Sequence, residues 1–246
     1  MKLAYQTDDG IGTRANLGVI VLETDETLEH EFRQLVKGDG IALYVSRIPM
    51  VPEVRPDTLA QMETALPTAA GLLPTALDFD AIGFGCTSAS SVIGSDRVAD
   101  IVAATCSGAQ VTDPLAAIIA AGRALDAQRL GFVTPYVADV SARMRHNLEL
   151  AGFEIASFGS FEEGNDRVVA RITPASIVAA VEAVSAKAPC DAIVVSCTNL
   201  RCLGIIAEAE RKTGVPVITS NQALAWHMLT LAGVEGARPG LGRLFA

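Results

Sequence analysis

The chain has 246 residues, half of them hydrophobic and only 5% aromatic, with a formal net charge of −9. This length suffices for one large domain or two domains of about 110–120 residues, whose cores would consist mainly of Ala, Val, Ile and Leu. The acidic balance argues against a nucleic-acid-binding surface, although backbone amides could still bind a small anion locally.

Cysteine usage and hydropathy narrow the class of protein further. The chain has five cysteines, an odd number whose spacing does not resemble a secreted disulfide framework. No run of about 18 apolar residues could span a bilayer, and Asp8 and Asp9 interrupt any apolar leader after Lys2. We therefore expect a reduced, soluble, cytoplasmic protein without a membrane partner.

After a loose lead-in of about a dozen residues, the first half of the chain alternates between strands and helices. Short apolar runs rich in β-branched residues predict buried parallel strands at residues 18–22, 41–48, 80–85 and 109–112. Apolar periodicity and capping residues, with Asp57 or Thr58 as one N-cap, predict helices at residues 28–36, 56–73, 96–106 and 114–125.

The same alternation then begins again. The second set of predicted strands covers residues 129–134, 153–159, 191–196 and 215–219. The second set of predicted helices covers residues 140–151, 174–186, 204–213 and 222–232, the first of them stopped by Gly152. Alternation of this kind predicts an α/β protein with parallel sheets and right-handed crossovers.

A repeated phrase indicates that the two sets are copies of one unit. Asp80-Ala-Ile-Gly-Phe-Gly-Cys86-Thr87 returns 111 residues later as Asp191-Ala-Ile-Val-Val-Ser-Cys197-Thr198. Two further strand pairs match in the same order, at offsets of 113 and 107 residues. We predict an N-terminal domain of residues 1–112, joined by the C-terminal segment 221–246, and a second domain of residues 113–220.

Both copies of the phrase place a cysteine where a parallel strand ends, which is where open α/β sheets bind ligands. A helix start lowers a thiol pKa, so Cys86 and Cys197 could remove and donate protons on opposite faces of one carbon, or Cys86 could attack carbon. Nearby amides and hydroxyls would hold a substrate carboxylate. The alternative is that these cysteines are small buried hydrophobes, which we accept for Cys106, Cys190 and Cys202.

Other kinds of site have less support. The histidines His30, His146 and His227 match no metal spacing, and Cys197 and Cys202 lack the second pair of ligands that a zinc site needs. The chain has no Gly-x-Gly-x-x-Gly after the first strand and no P-loop. We therefore predict chemistry without a metal or a cofactor.

These residues resemble the Asp/Glu racemase superfamily, in particular the branch of maleate isomerase and arylmalonate decarboxylase. Maleate isomerases have a first-half cysteine at the position of Cys86, a Val-Thr-Pro-Tyr motif like Val133 to Tyr136, an asparagine that aligns with Asn165, and a Ser-Cys like that ending at Cys197. The resemblance implies that Tyr136 and Asn165 contact a substrate carboxylate. It also implies two pseudo-symmetric, flavodoxin-like domains with the active site in the cleft between them.

Two departures bear on the substrate. Where those isomerases have a substrate-binding asparagine after the first strand, this chain has Asp25, which would repel a second carboxylate and favours an amino or ammonium group. Arylmalonate decarboxylase resembles the chain at Thr87-Ser88 and in the tail from Ala237 to Phe245, but has glycine at the position of Cys86. Two thiols favour racemisation or isomerisation over decarboxylation.

The chain also resembles the racemase-like proteins of ectoine utilisation, which keep the aspartate at position 25. The resemblance implies a substrate from ectoine or hydroxyectoine breakdown, such as a diaminobutyrate-type acid. A decarboxylase of malonate-type acids, a maleate cis–trans isomerase and a non-catalytic binding protein remain alternatives.

The hypothesis is therefore a cofactor-independent racemase or isomerase of a small carboxylate or amino-acid derivative, expected to be a homo-oligomer. Its catalytic residues would be Cys86 and Cys197. Its substrate-binding residues would be Asp25, Thr87, Ser88, Tyr136, Asn165, Thr198 and Asn199.

Overall fold

The computed structural model describes residues 1–234 and 238–246, and all eight predicted strands are present. The strands of the first half are β1 (Ala15–Leu22), β2 (Ile41–Ile48), β3 (Ala81–Gly85) and β4 (Gln110–Thr112). Those of the second half are β5 (Arg129–Thr134), β6 (Glu154–Ser160), β7 (Ala192–Val195) and β8 (Val217–Thr219).

Ten α-helices and two short 3₁₀ helices connect or follow these strands in the described residues. The α-helices are α1 (Leu28–Leu35), α2 (Pro56–Ala70), α3 (Thr87–Ile93), α4 (Ser95–Thr105), α5 (Pro114–Ala124), α6 (Ala138–Leu150), α7 (Asp166–Val169), α8 (Pro174–Lys187), α9 (Ile206–Thr213) and α10 (Ser220–Leu231). The 3₁₀ helices are Leu203–Ile205 and Arg243–Phe245. None of the helices described is long and apolar enough to cross a membrane.

The two halves have the same topology. The strand orders are β2-β1-β3-β4 and β6-β5-β7-β8, and every neighbouring pair is parallel. This order is that of the flavodoxin-like doubly wound fold, and it confirms both the α/β prediction and the duplication. All residues of β3 and β7 are buried, as their uninterrupted apolar sequences require.

The repeated aspartates, Asp80 and Asp191, make equivalent hydrogen bonds in the two halves. The Asp80 carboxylate accepts the amide of Asn16, the second residue of β1, at 2.8 Å. The Asp191 carboxylate accepts the amides of Gln128 and Arg129, at 3.0 and 2.8 Å, at the start of β5. Each aspartate therefore fixes the register between the first and third strands of its half.

A second repeated contact was not evident in the sequence. The buried hydroxyl of Ser46 on β2 donates to the carbonyl oxygen of Ala69 on α2 at 2.6 Å. In the second half, Ser157 on β6 donates to Val184 on α8 at 2.9 Å. Each bond attaches the edge strand of a half, β2 or β6, to the long helix that follows it in the chain, α2 or α8.

The last helix of each half packs across the boundary between them. A Cβ added at Gly83 would lie 2.6 Å from Met228 Sδ, so α10 lies directly on β3 of the first half. A Cβ added at Gly122 would lie 2.8 Å from the Phe153 ring, so α5 contacts the second half. The proposed domain division, with residues 221–246 joined to the first domain, stays a prediction.

Some local predictions were wrong or incomplete. The helices α3 and α7 were not predicted, because α3 is a run of small polar residues without apolar periodicity and α7 is a single turn. Arg55, not Asp57 or Thr58, is the N-cap residue of α2, and its amide donates to the Thr58 hydroxyl. Ala237 of the tail motif lies outside the described residues.

Two equivalent glycines provide a test of the duplicated packing. A Cβ at Gly18 would lie 3.0 Å from Leu73 Cδ1, and one at Gly131 would lie 3.0 Å from Val184 Cγ1. We expect Gly18→Ala and Gly131→Ala each to lower the free energy of unfolding by about 1–3 kcal/mol in chemical denaturation, because both sites would be overpacked.

The control is Gly204→Ala, since no described atom lies within 4 Å of the added Cβ there. Its free energy of unfolding should change by less than about 0.5 kcal/mol. An unchanged stability in either Gly18→Ala or Gly131→Ala would contradict the equivalence of the two cores.

Candidate active site

Cys86 directly follows β3, and Cys197 follows β7 after Ser196, so both lie at the carboxyl ends of their sheets. Cys86 is the N-cap residue of α3, and its Sγ accepts the amide of Ala89 at 3.3 Å. Cys197 Sγ accepts the amide of Asn199 at 3.4 Å. Each sulfur therefore accepts one backbone amide, although Cys86 begins a helix and Cys197 begins a loop.

Each Cys-Thr turn is bonded to an element outside its own half-sheet. The Thr198 hydroxyl donates to the carbonyl oxygen of Gly85, the residue before Cys86, at 3.4 Å. The Thr87 hydroxyl donates to Ser220 at the start of α10 at 2.9 Å. These bonds bring the two turns together where the halves meet.

Tyr136, two residues after β5, lies near both thiols. Its side chain is buried, and burial together with the neighbouring Cys197 and Cys86 raises its phenol pKa well above the ordinary value. The hydroxyl lies close enough to Cys197 to lower the pKa of that thiol. Tyr136 is therefore close enough to both sulfurs to interact electrostatically with each.

Burial favours the protonated form of both thiols. Cys86 is 1% exposed and Cys197 is 3% exposed. Burial raises the pKa of Cys86 to about 12 and also raises that of Cys197, outweighing the backbone amides that accompany each sulfur. The amide of Ala89 at the helix start does lower the pKa of Cys86, but the net shift is upward, opposite to the expectation, because loss of solvation is the larger effect.

Two buried carboxyl groups lie beside the thiols. Asp25 Oδ1 accepts the amides of Thr27 and Leu28, at 2.8 and 2.7 Å, at the start of α1. Asp166 Oδ2 accepts the Thr24 hydroxyl at 2.6 Å. Burial raises the pKa of Asp25 to about 6 and raises that of Asp166, and both carboxyls raise the pKa values of Cys86 and Cys197.

Three other residues that were expected to bind substrate, Asn199, Asn165 and Ser88, make different contacts. Asn199 joins the halves, since its Oδ1 accepts the Glu26 amide at 2.9 Å and its Nδ2 donates to the Asp166 carbonyl oxygen at 3.1 Å. Asn165 caps α7 through the Arg167 amide, and its backbone pairs with Glu53. The Ser88 hydroxyl lies 3.6 Å from Cys86 Sγ.

Three buried polar atoms near the Cys197 turn have no hydrogen-bond partner among the described residues: Asp25 Oδ2, Ser196 Oγ and Asn221 Oδ1. The Thr198 hydroxyl lies near the Asp25 carboxyl, yet its hydrogen bond goes to Gly85. Buried polar atoms are rarely left without partners in native proteins. Their concentration around one cysteine is typical of a ligand site.

Sequence reasoning missed two of the carboxylates that surround this site, Asp166 and Glu31. Asp166 is the first residue of the single-turn helix α7, and no sequence pattern there indicates burial. In residues 1–234 and 238–246, no three His, Cys, Asp or Glu side chains are arranged to hold a metal ion.

Two loops, one from each half, are paired beside Asp166. The Val54 amide donates to Gly164 and the Asp166 amide donates to Pro52, at 2.9 and 3.0 Å, so the β2–α2 loop pairs with the loop after β6. A cavity of about 540 Å³ beside this pairing is lined by residues that include Thr24, Pro52 and Arg167.

Comparison with known proteins places the site in a family. A family model described as arylmalonate decarboxylase matches residues 79–245. The maleate isomerase of Nocardia farcinica (strain IFM 10152) is 29% identical over 239 residues, which cover 93% of this chain and 94% of that protein. The arylmalonate decarboxylase of Bordetella bronchiseptica is 35% identical over 140 residues, which cover 56% of this chain and 58% of that protein.

Solved structures agree with these matches. A cysteine-to-serine mutant of the N. farcinica maleate cis–trans isomerase, with a covalently bound succinylcysteine intermediate, is similar with a TM-score of 0.85 at 28% identity, covering 94% of this chain and 98% of that one. A liganded double mutant of arylmalonate decarboxylase has a TM-score of 0.84 at 25% identity, with the same coverage. Since the family model matches more than half of the sequence and both cysteine turns, the chain belongs to the arylmalonate decarboxylase family of the Asp/Glu racemase superfamily.

Proposed function

We propose that this protein is a cofactor-independent isomerase or racemase that acts on a small carboxylate through Cys86 and Cys197. The observation that carries the proposal is the pair of repeated Cys-Thr turns, one from each half, both near the buried Tyr136. Two proton-transfer groups on opposite faces of one carbon can remove a proton from one side and return one to the other.

The similarity to maleate isomerase and arylmalonate decarboxylase supports cysteine chemistry of this kind. It supports equally an attack of Cys86 on a double bond, because a succinylcysteine intermediate is present in one structural relative. In either case one thiol must lose its proton first, against the effects of burial and of Asp25 and Asp166. A cationic group on the substrate would offset these effects and lower the thiol pKa.

The acidic surroundings therefore support a substrate that carries an ammonium group. The free Oδ2 of Asp25 has no partner among the described residues and would accept that group. We propose Thr87, Ser88, Thr198, Asn199, Tyr136 and Asn165 as the residues that hold or frame the substrate carboxylate. The resemblance to ectoine-utilisation proteins makes a diaminobutyrate-type acid the first substrate to test.

Decarboxylation of a malonate-type acid is the second candidate. A decarboxylase needs a proton donor for the carbanion that forms when carbon dioxide leaves, and a thiol whose pKa is raised by burial is a donor at neutral pH. The family match supports the same reaction.

Solvent isotope exchange distinguishes the two reactions. A panel of amino acids and dicarboxylic acids is incubated with enzyme in deuterium oxide and followed by NMR and mass spectrometry. We expect deuterium to enter at one carbon without loss of carbon dioxide, and Cys86→Ser or Cys197→Ser to slow exchange by at least about 10²-fold.

The matched control is Cys106→Ser, since Cys106 is a buried thiol bonded to the Ala70 carbonyl oxygen away from the site. It should keep its exchange rate. Release of carbon dioxide from a malonate would favour the second candidate, and full activity in both catalytic variants would exclude cysteine chemistry.

Asp25→Asn tests the ammonium contact. Asparagine can accept the same amides at the start of α1, so the fold is retained while the charge is lost. We expect kcat/KM for an amino acid substrate to fall by at least about 30-fold, the loss typical of a buried charge partner, and less for an analogue with hydroxyl in place of ammonium. Equal losses for the two compounds would contradict the contact.

A further inference from the structure

A buried glutamate of the first half reaches across to the Cys197 turn. Glu31 lies on α1, is 4% exposed, and is not used by the reaction proposed above. Burial raises its pKa to about 7, partly offset by three hydrogen bonds and raised further by Asp25. Burial of a carboxylate costs solvation free energy unless hydrogen bonds to its oxygens compensate for the loss.

Its contacts fall on both ends of the loop that begins at Cys197. Glu31 Oε1 accepts the amides of Cys202 and Leu203, each at 2.8 Å. Glu31 Oε2 accepts Asn221 Nδ2 at 2.8 Å, and the same Nδ2 donates to the Thr198 carbonyl oxygen at 2.8 Å. One carboxylate therefore fixes the far end of the loop directly and the near end through Asn221.

The start of α1 holds the middle of the same loop. The Thr27 hydroxyl donates to the Asn199 carbonyl oxygen at 3.0 Å. The amide of Asn199 is the one that points at Cys197 Sγ, at 3.4 Å. The position of this sulfur in the second half thus depends on residues of the first half.

We infer that Glu31 is a positioning residue that holds the Cys197 thiol in its place through the loop from Thr198 to Leu203. The inference rests on the proposed function only in assuming that Cys197 reacts. Glu31 does not touch the sulfur and acts through the backbone of the loop.

A carboxylate suits this role better than an amide. Three donors converge on its two oxygens, and a glutamine in its place would offer one oxygen and turn an NH₂ group towards Asn221 or the loop amides. Glu31→Gln should therefore break at least one of the three bonds without changing the size of the side chain.

The experiment compares Glu31→Gln with Glu210→Gln. Glu210 is also a buried glutamate that accepts backbone amides, those of Val217 and Arg243, each at 3.1 Å, but among the described residues it has no hydrogen bond to the Cys197 loop. The readout is the rate at which iodoacetamide labels each cysteine of the native protein, measured by mass spectrometry of peptides, together with thermal unfolding.

We expect Glu31→Gln to change the labelling rate of Cys197 by at least about 10-fold while Cys86 and Cys106 keep theirs, because the loop that sets the exposure and hydrogen bond of this sulfur is released. Glu210→Gln should lower stability without this change. If the reaction is found, kcat should fall in Glu31→Gln with KM little changed.

Labelling needs no substrate, so it decides the inference even if the proposed reaction fails. An unchanged Cys197 rate, or equal changes at Cys86 and Cys197, would overturn the positioning role. Should Glu31→Gln not fold, Asn221→Ser, which removes the link to Thr198, decides the question by the same measurement.

Discussion

The exchange of hydrogen bonds between the two halves is the interaction on which the site depends. Thr198 of the second half is bonded to Gly85 of the first, and Glu31 and Thr27 of the first half hold the loop that follows Cys197. Neither cysteine is therefore placed by its own half alone. The duplicated fold provides two equivalent strand ends, and the contact between the halves turns them into one enclosed site.

Enclosure decides the electrostatics of that site. Both thiols accept a backbone amide, an arrangement that by itself favours thiolate, yet loss of solvation and the carboxyls of Asp25 and Asp166 raise their pKa values. The resting protein therefore has two thiols in an acidic pocket. A substrate must either carry a positive charge that lowers a thiol pKa, as proposed for the isomerase or racemase, or accept a proton from a thiol, as proposed for the decarboxylase.

The sequence was most informative where structure is local. The phrase ending at Cys86 and Cys197 located both turns, and apolar runs located all eight strands, because a buried parallel strand needs an apolar sequence whatever surrounds it. It was least informative where burial comes from contact between the halves. Glu31 lies on an amphipathic helix, and its hydrogen bonds go to Cys202, Leu203 and Asn221, which are distant in the sequence. The direction of the thiol pKa shift was mispredicted for the same reason.

The burial of the two thiols also affects how fast they are oxidised. Peroxides and disulfides react with thiolates that they can reach, and they react slowly with protonated thiols. Cys86 and Cys197 are 1% and 3% exposed, and burial favours their protonated form. We therefore expect both sulfurs to react slowly with oxidants while no substrate is bound.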